Sequence, residues 1–327
     1  MGGKTGRRLV SLVALVAACL TLAAPAGAQP GPRASASAPT SPAYDDDFPD
    51  PFVLLENGVY WAYSTGSAGL DLQVISSTDL VTWSEPKEPL QGLPKWATKG
   101  FTWAPAVAKV GSQFVMYYTL RHTASGRQCI SVAIANSPGG PFVDKSTGPL
   151  VCQLDHRGSI DASPFMANGT RYLLWKSDDN AVGAQTHLWG QQLSADGLTL
   201  VGTPTRLLDQ TRSWQAPAIE GPSMIANGGS YVLFYGAGPW DSSQASIGWA
   251  RCTSPLGPCT NQSVFGPWLA SQPGAQGPSG PATFTDSAGA TRFAFHAWTR
   301  AVGYPADGVR SLFIGQLTFS NGRPVLS

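Results

Sequence analysis

The sequence predicts an all-β chain folded as a single-domain five-bladed β-propeller, and two patterns in one register predict it. The first is a proline-marked apolar segment followed within a few residues by a glycine and an aromatic-rich run, which occurs five times. The second is a strand ending in a Ser, Asp, Pro and Gly turn cluster, which recurs behind each aromatic run. The aligned glycines, Gly58, Gly111, Gly169, Gly229 and Gly289, stand 53, 58, 60 and 60 residues apart, long enough for one sheet of about four strands per copy. A β-sandwich has no reason to repeat at close to 60 residues, and a solenoid rung is far shorter.

In chain order the copies read PDPFVLLENGVYWAYS from Pro49, WAPAVAKVGSQFVMYYT from Trp103, IDASPFMANGTRYLLWK from Ile160, IEGPSMIANGGSYVLFYG from Ile219 and GPATFTDSAGATRFAFHAW from Gly280. Their aromatic runs are short, β-branched and bounded by glycine and asparagine turns, as strands are. The outer strands and their turn clusters follow in LDLQVISSTDLVTWS, CISVAIANSPGGPF, HLWGQQLSADGLTL, ASIGWARCTSPLGPC and RSLFIGQLTFSNGRP. No long helical period appears. The place before each proline is occupied by Asp50, Trp103, Asp161, Glu220 and Gly280, so equivalent strand ends are expected to bring three carboxyl groups together at the axis.

Ahead of the repeats, residues 1–28 have the parts of an export signal: Lys4, Arg7 and Arg8, an apolar run from Leu9 to Ala24, and Ala26-Gly27-Ala28 as a cleavage site. An alternative is that Val16-Ala17-Ala18-Cys19 is a lipoprotein processing box, which would leave a lipid anchor on Cys19. Residues 29–42 are Pro, Ala and Ser with almost no large apolar side chain, a flexible leader, and residues 43–327 form the propeller. Without residues 1–28 the chain has 18 Lys and Arg against 20 Asp and Glu, a net charge of −2. That balance gives no reason to expect nucleic acid or an anionic membrane as partner. Charged residues are only 13% of a chain with 11 Trp and 37 Gly, a composition that suits a neutral polar ligand such as sugar. A monomer is expected. Four cysteines remain after export, and each pair falls within one repeat, which predicts disulfides Cys129–Cys152 and Cys252–Cys259.

At DFPDPFV, TWAPAV, SIDASPF, IEGPSMI and FHAW, in this order from Asp47 to Arg310, the chain resembles glycoside hydrolase family 43, five-bladed propeller enzymes that cut arabinose- and xylose-containing polysaccharides with inversion. The resemblance implies Asp50 as general base, Glu220 as general acid, and Asp161 as the residue that orients the acid and raises its pKa. The chemistry gives its own reasons. Inversion needs one ionised carboxylate to activate water and one protonated carboxyl for the leaving oxygen, roughly 6.5–9.5 Å apart. A second carboxylate near the acid disfavours its ionised form. Asp45, Asp46 and Asp47 lie upstream where the chain enters the first blade, and Asp47 is the nearest rival for the base.

Trp103 is expected to wall the sugar, since sugar C–H groups pack on indole. His296 is expected at the substrate site, and in some family members this histidine helps hold a hydrated calcium. No cofactor is required, and with one histidine and no dense oxygen-ligand loop a tight calcium site does not follow from the sequence. Arg310 resembles the family's arginine that braces the carboxylates, and Phe52 and Trp298 are expected to line the cavity. The substrate expected is an α-L-arabinofuranosyl linkage in arabinan or arabinoxylan, with a β-xylosidase on xylo-oligosaccharides as the alternative and exo or endo action open. A sugar-binding propeller without catalysis needs aromatics but no trio of acids. Motifs of retaining fructan or sucrose hydrolases are not recognisable.

Overall fold

The computed structural model describes residues 1–3, 6, 39–67 and 69–327 of the 327-residue chain. The expected export segment, apart from those four residues, and the leader up to residue 38 lie outside the described residues. The chain divides into Met1–Ala34 and Ser35–Ser327, and the second unit carries every strand found among the described residues.

Five antiparallel sheets succeed one another along the chain, as the repeats predict. The first blade holds β1 (Phe52–Glu56), β2 (Val59–Thr65) and β3 (Leu72–Ser77), and the second β4 (Ala97–Val110), β5 (Gln113–His122) and β6 (Arg127–Ala135). The third holds β7 (Ser159–Ala167), β8 (Thr170–Ser177), β9 (His187–Leu193) and β10 (Leu200–Asp209). The fourth is β11 (Ile219–Asn227), β12 (Ser230–Ala237), β13 (Ser246–Cys252) and β14 (Cys259–Asn261), and the fifth β15 (Gln276–Thr285), β16 (Thr291–Trp298), β17 (Arg310–Ser320) and β18 (Arg323–Leu326). The innermost strands touch in the cyclic order β1, β4, β7, β11, β15 and back to β1.

The aromatic runs are apolar on both faces because each central strand packs against two neighbouring blades. Successive side chains point to opposite sheet faces. Along β5, Val115 and Tyr117 enter a cluster with Leu173 and Trp175 of the third blade. The intervening Met116 and Tyr118 pack with Tyr63 and Val74 of the first. Along β12, Val232 and Phe234 meet Phe293 and Phe295 of the fifth blade, while Leu233 and Tyr235 meet Leu174 and Leu188 of the third. The fifth junction joins Tyr60 and Ala62 to Ala294 and Leu312. Closure uses the segment before β1: Ala43 N–H donates to Leu312 carbonyl, and Phe48 N–H to Arg310 carbonyl. Both expected disulfides are present, Cys129–Cys152 and Cys252–Cys259.

Each innermost strand carries one extra residue near the axis. Trp103 pairs with Thr119 and Ala106 with Tyr117, so three steps on β4 oppose two on β5, a β-bulge. The same offset separates Ile160 from Ser163, Glu220 from Ser223 and Ser279 from Ala282. In the first blade Thr65 N–H donates to Pro49 carbonyl while Phe52 pairs with Tyr63. The residue opening each bulge is left-handed: Asp50 at φ 55°, Ala104 at 46°, Asp161 at 58°, Gly221 at 54° and Gly280 at 61°. This corrects the expected single slot. Asp50 and Asp161 are bulge residues, equivalent to Ala104, Gly221 and Gly280, whereas Trp103 and Glu220 stand one residue earlier with Pro49, Ile160 and Ser279. Sequence spacing from the proline could not separate the two positions, because the third blade has Ala162 where the others have proline.

Candidate active site

The bulges place Asp50, Asp161 and Glu220 on one cavity of about 880 Å³, together with Trp103, Phe52, His296 and Arg310. A bulge re-aims side chains, so acids at two adjacent positions converge.

Opposite the bulges, the second strand of each blade presents Thr65, Thr119, Lys176, Gly236 or His296. Thr65, Thr119 and His296 hold the bulge of the next blade. Ala104 N–H donates to Thr65 Oγ1 at 2.9 Å, Asp161 N–H to Thr119 Oγ1 at 3.3 Å, and Asp50 N–H to His296 Nδ1 at 2.9 Å. At the fourth blade the rule changes, since Lys176 has no acceptor to offer. Gly221 N–H donates instead to Asp161 Oδ2 at 2.9 Å, and Lys176 Nζ reaches Glu220 Oε2 at 3.4 Å.

Asp50 accepts a hydrogen bond from Thr65 Oγ1 at 2.6 Å and lies 3.9 Å from Arg310 Nη1. Burial alone would raise its pKa, but the Arg310 charge and the surrounding donors outweigh it and hold the carboxyl below its ordinary value. Arg310 is 8% exposed, caged by the rings of Trp240, Trp298 and Tyr304 at 5.1–5.6 Å, and it donates to Tyr304 Oη. It therefore braces Asp50. His296, 2% exposed, is pushed down to about 3 by burial and by Arg310, so near neutral pH it is uncharged.

Asp161 moves the other way. Burial first, then the neighbouring Glu220 and Asp50, push it up to about 7 against the pull of Lys176. Lys176 is 1% exposed and is pushed above its ordinary value, because Glu220, Asp161 and Asp178 outweigh its burial. The acid side of the cavity thus holds a buried ammonium among carboxyl groups.

Asp47 also faces the cavity, but its oxygens accept from Arg310 N–H at 3.1 Å and from Tyr304 Oη at 3.1 Å. It anchors the closing segment to β17. Trp298 corrects an expectation: it is 1% exposed, lies behind Arg310 against Tyr304, and is not part of the cavity wall. Trp240, 46% exposed at the cavity, supplies the aromatic surface instead. Lys176, Trp240 and Tyr304 were not singled out in the sequence. Lys176 had a signal, a charge closing the apolar run LLW; Trp240 and Tyr304 sit in inter-strand loops outside the repeat.

A directly bound cation at His296 does not fit the donor set. Nδ1 takes the N–H of Asp50, so the proton of the neutral ring stands on Nε2, which is buried without a partner. A protonated nitrogen cannot ligate.

A propeller with three carboxyl groups at its axis defines a class of glycosidases. The chain belongs to the glycosyl hydrolases family 43, whose sequence profile matches residues 39–324. It is 24% identical over 258 residues to the extracellular exo-α-(1→5)-L-arabinofuranosidase of Streptomyces avermitilis, covering 72% of this chain and 50% of that one. It is 23% identical over 293 residues to the probable arabinan endo-1,5-α-L-arabinosidase A of Aspergillus flavus, covering 83% of this chain and 88% of the relative. Among solved structures, the endo-1,4-β-xylanase from Bacteroides thetaiotaomicron superposes with a TM-score of 0.73 at 28% identity, covering 88% of this chain and 96% of that one. The chain spans half or less of the length of the first curated relatives it matches, at 50%, 41% and 38%.

Proposed function

We propose that this protein is an exported glycoside hydrolase that cleaves α-L-arabinofuranosyl linkages of arabinan or arabinoxylan with inversion at the anomeric carbon. The observation that carries the proposal is the convergence of Asp50, Asp161 and Glu220 on one cavity in unlike electrostatic settings. Asp50, kept ionised by Arg310, takes a proton from water as the water oxygen attacks the anomeric carbon. The bond from that carbon to the leaving oxygen breaks, and Glu220 delivers the proton the oxygen needs. Asp161, pushed up to about 7 by burial, accepts from Gly221 N–H beside Glu220 and orients the acid. Inversion requires the base and the acid roughly 6.5–9.5 Å apart, so that the attacking water fits between them.

The arabinose reading is supported by the names of the two curated relatives, and the likeness to a xylanase favours testing a xylan-type substrate beside it. Incubation with debranched arabinan, branched arabinan and xylo-oligosaccharides, with products sized by chromatography, decides between them. Arabinose alone is expected for exo action and arabino-oligosaccharides for endo action; xylose as the sole product would overturn the substrate. If Asp50→Asn and Glu220→Gln proteins bind these sugars and no wild-type hydrolysis is found, the chain is a binding propeller. Export is supported by residues 1–28 and by the likeness to the Streptomyces relative, an extracellular exo-α-(1→5)-L-arabinofuranosidase. Mass spectrometry of the secreted chain is expected to find Gln29 first, and a lipid on Cys19 would replace free secretion by anchoring.

A further inference from the structure

Outside the substrate cavity, His156, Asp179 and His187 each direct one ligand atom to a common point, the three atoms lying within 4.8 Å of one another. We propose that they form a site for a divalent transition metal of zinc type, which ties the third blade to the wall of the substrate cavity. The three come from separate elements: the 3₁₀ turn Leu154–His156, the 3₁₀ turn Asp179–Val182 and the first residue of β9. His156 Nδ1 is 3.1 Å from Asp179 Oδ2, a spacing that two ligands of one tetrahedral ion adopt.

The surroundings are built as metal-ligating histidines require. His187 Nδ1 is 2.8 Å from Asp209 Oδ1, its cross-strand partner at the end of β10. A carboxylate there keeps the ring proton on Nδ1 and leaves the Nε2 lone pair for an ion. Two imidazoles and one carboxylate are a donor set for zinc, with a fourth position for water. Trp189 packs against both imidazoles, at 5.2 and 6.4 Å between ring centroids, and its Nε1–H is buried without an acceptor. The other convergent group, His122 with Cys129 and Cys152, is no such site because its sulfurs form the disulfide.

None of the three ligands lines the substrate cavity, but Asp178, Asn180 and Ala181 around Asp179 do. Asp178 Oδ1 lies 4.0 Å from Lys176 Nζ, whose partner is Glu220. An ion here holds the wall that faces the acid, a bracing role and not a catalytic one.

The test is calorimetric titration of the tag-free, EDTA-stripped chain with zinc chloride. One zinc per chain and a raised Tm are expected. His156→Ala and His187→Ala should each weaken binding at least about 10-fold, and Asp209→Asn by about 10- to 100-fold, with His122→Ala and His296→Ala unchanged. Should the alanine variants misfold, the cobalt-loaded wild type serves, with paramagnetic shifts expected for the ring protons of His156 and His187 alone. Absent one-to-one binding, undiminished binding by both variants, or shifts at other histidines would each overturn the site.

Discussion

Lys176 and Asp161 meet around Glu220, and Lys176 acts on the protonation of Asp161. The Lys176 ammonium, 3.4 Å from Glu220, favours the ionised form of Asp161 against its burial. Lys176→Met is therefore expected to raise the pKa of Asp161 further, read as an upward shift of its carboxyl titration midpoint by NMR. Asp161→Asn should remove that titration, and a midpoint unmoved in Lys176→Met would contradict the pull of the ammonium on Asp161. Asp50→Asn and Glu220→Gln are expected to lower kcat by about 10²- to 10⁴-fold, the scale of a positioned base or acid. Stability should register Asp161 too. Its pKa rises from 3.8 to about 7 on folding, so the native chain binds the extra proton and the stabilisation present below about pH 4 is lost as pH rises through 7. Thermal melts across that range should fall more steeply for the wild type than for Asp161→Asn.

The innermost strand with its bulge is the element that turns a repeated sequence into an asymmetric site. Three of the five bulges put a side chain into the left-handed region, at Asp50, Ala104 and Asp161, so that conformation alone does not demand glycine here. Gly280 is different: a Cβ added to it would stand 2.7 Å from His296 Nδ1 and 3.2 Å from Asp50 Cα. Glycine at the fifth blade makes room for the histidine that accepts the Asp50 N–H. Gly280→Ala should cost about 1–3 kcal/mol through the clash of its Cβ with His296 and Asp50, read by urea unfolding, and should also lower kcat by moving His296 off Asp50. An alanine variant with unchanged kcat would show that the histidine does not position the base. The strands themselves were legible, because two buried faces leave aromatic runs with no polar alternation. The bulge was not, since an extra residue changes hydrogen-bond register without changing the apolar pattern.

At the scale of the molecule, five interblade clusters and one seam hold the ring. The seam joins residues 43–48 to β17, with Phe48 fully buried edge-on to Tyr44 at 5.6 Å between ring centroids. Asp47 and Arg310 lie at the same seam, so closure and the bracing of Asp50 are one construction. Phe48→Ala is expected to cost about 3–5 kcal/mol in denaturant unfolding, as deletion of a buried aromatic does. Because the seam carries Arg310, the loss should be accompanied by reduced activity below the unfolding transition. Asp50, Asp161 and Glu220 were found because each lies within three residues of a proline that recurs at the repeat. Trp240 and Tyr304 were not, because their loops belong to no repeat and meet Arg310 only in the folded ring.

The sequence by itself determined the five blades, the acids that face the axis and the cysteines that pair, since each follows from local composition or a fixed period. Only the tertiary structure decided how those acids differ. Lys176 meets Glu220 from 44 residues away, and Asp50 meets His296 from 246. The surroundings of each carboxyl are supplied by the neighbouring blade, and that adjacency exists only once the ring has closed.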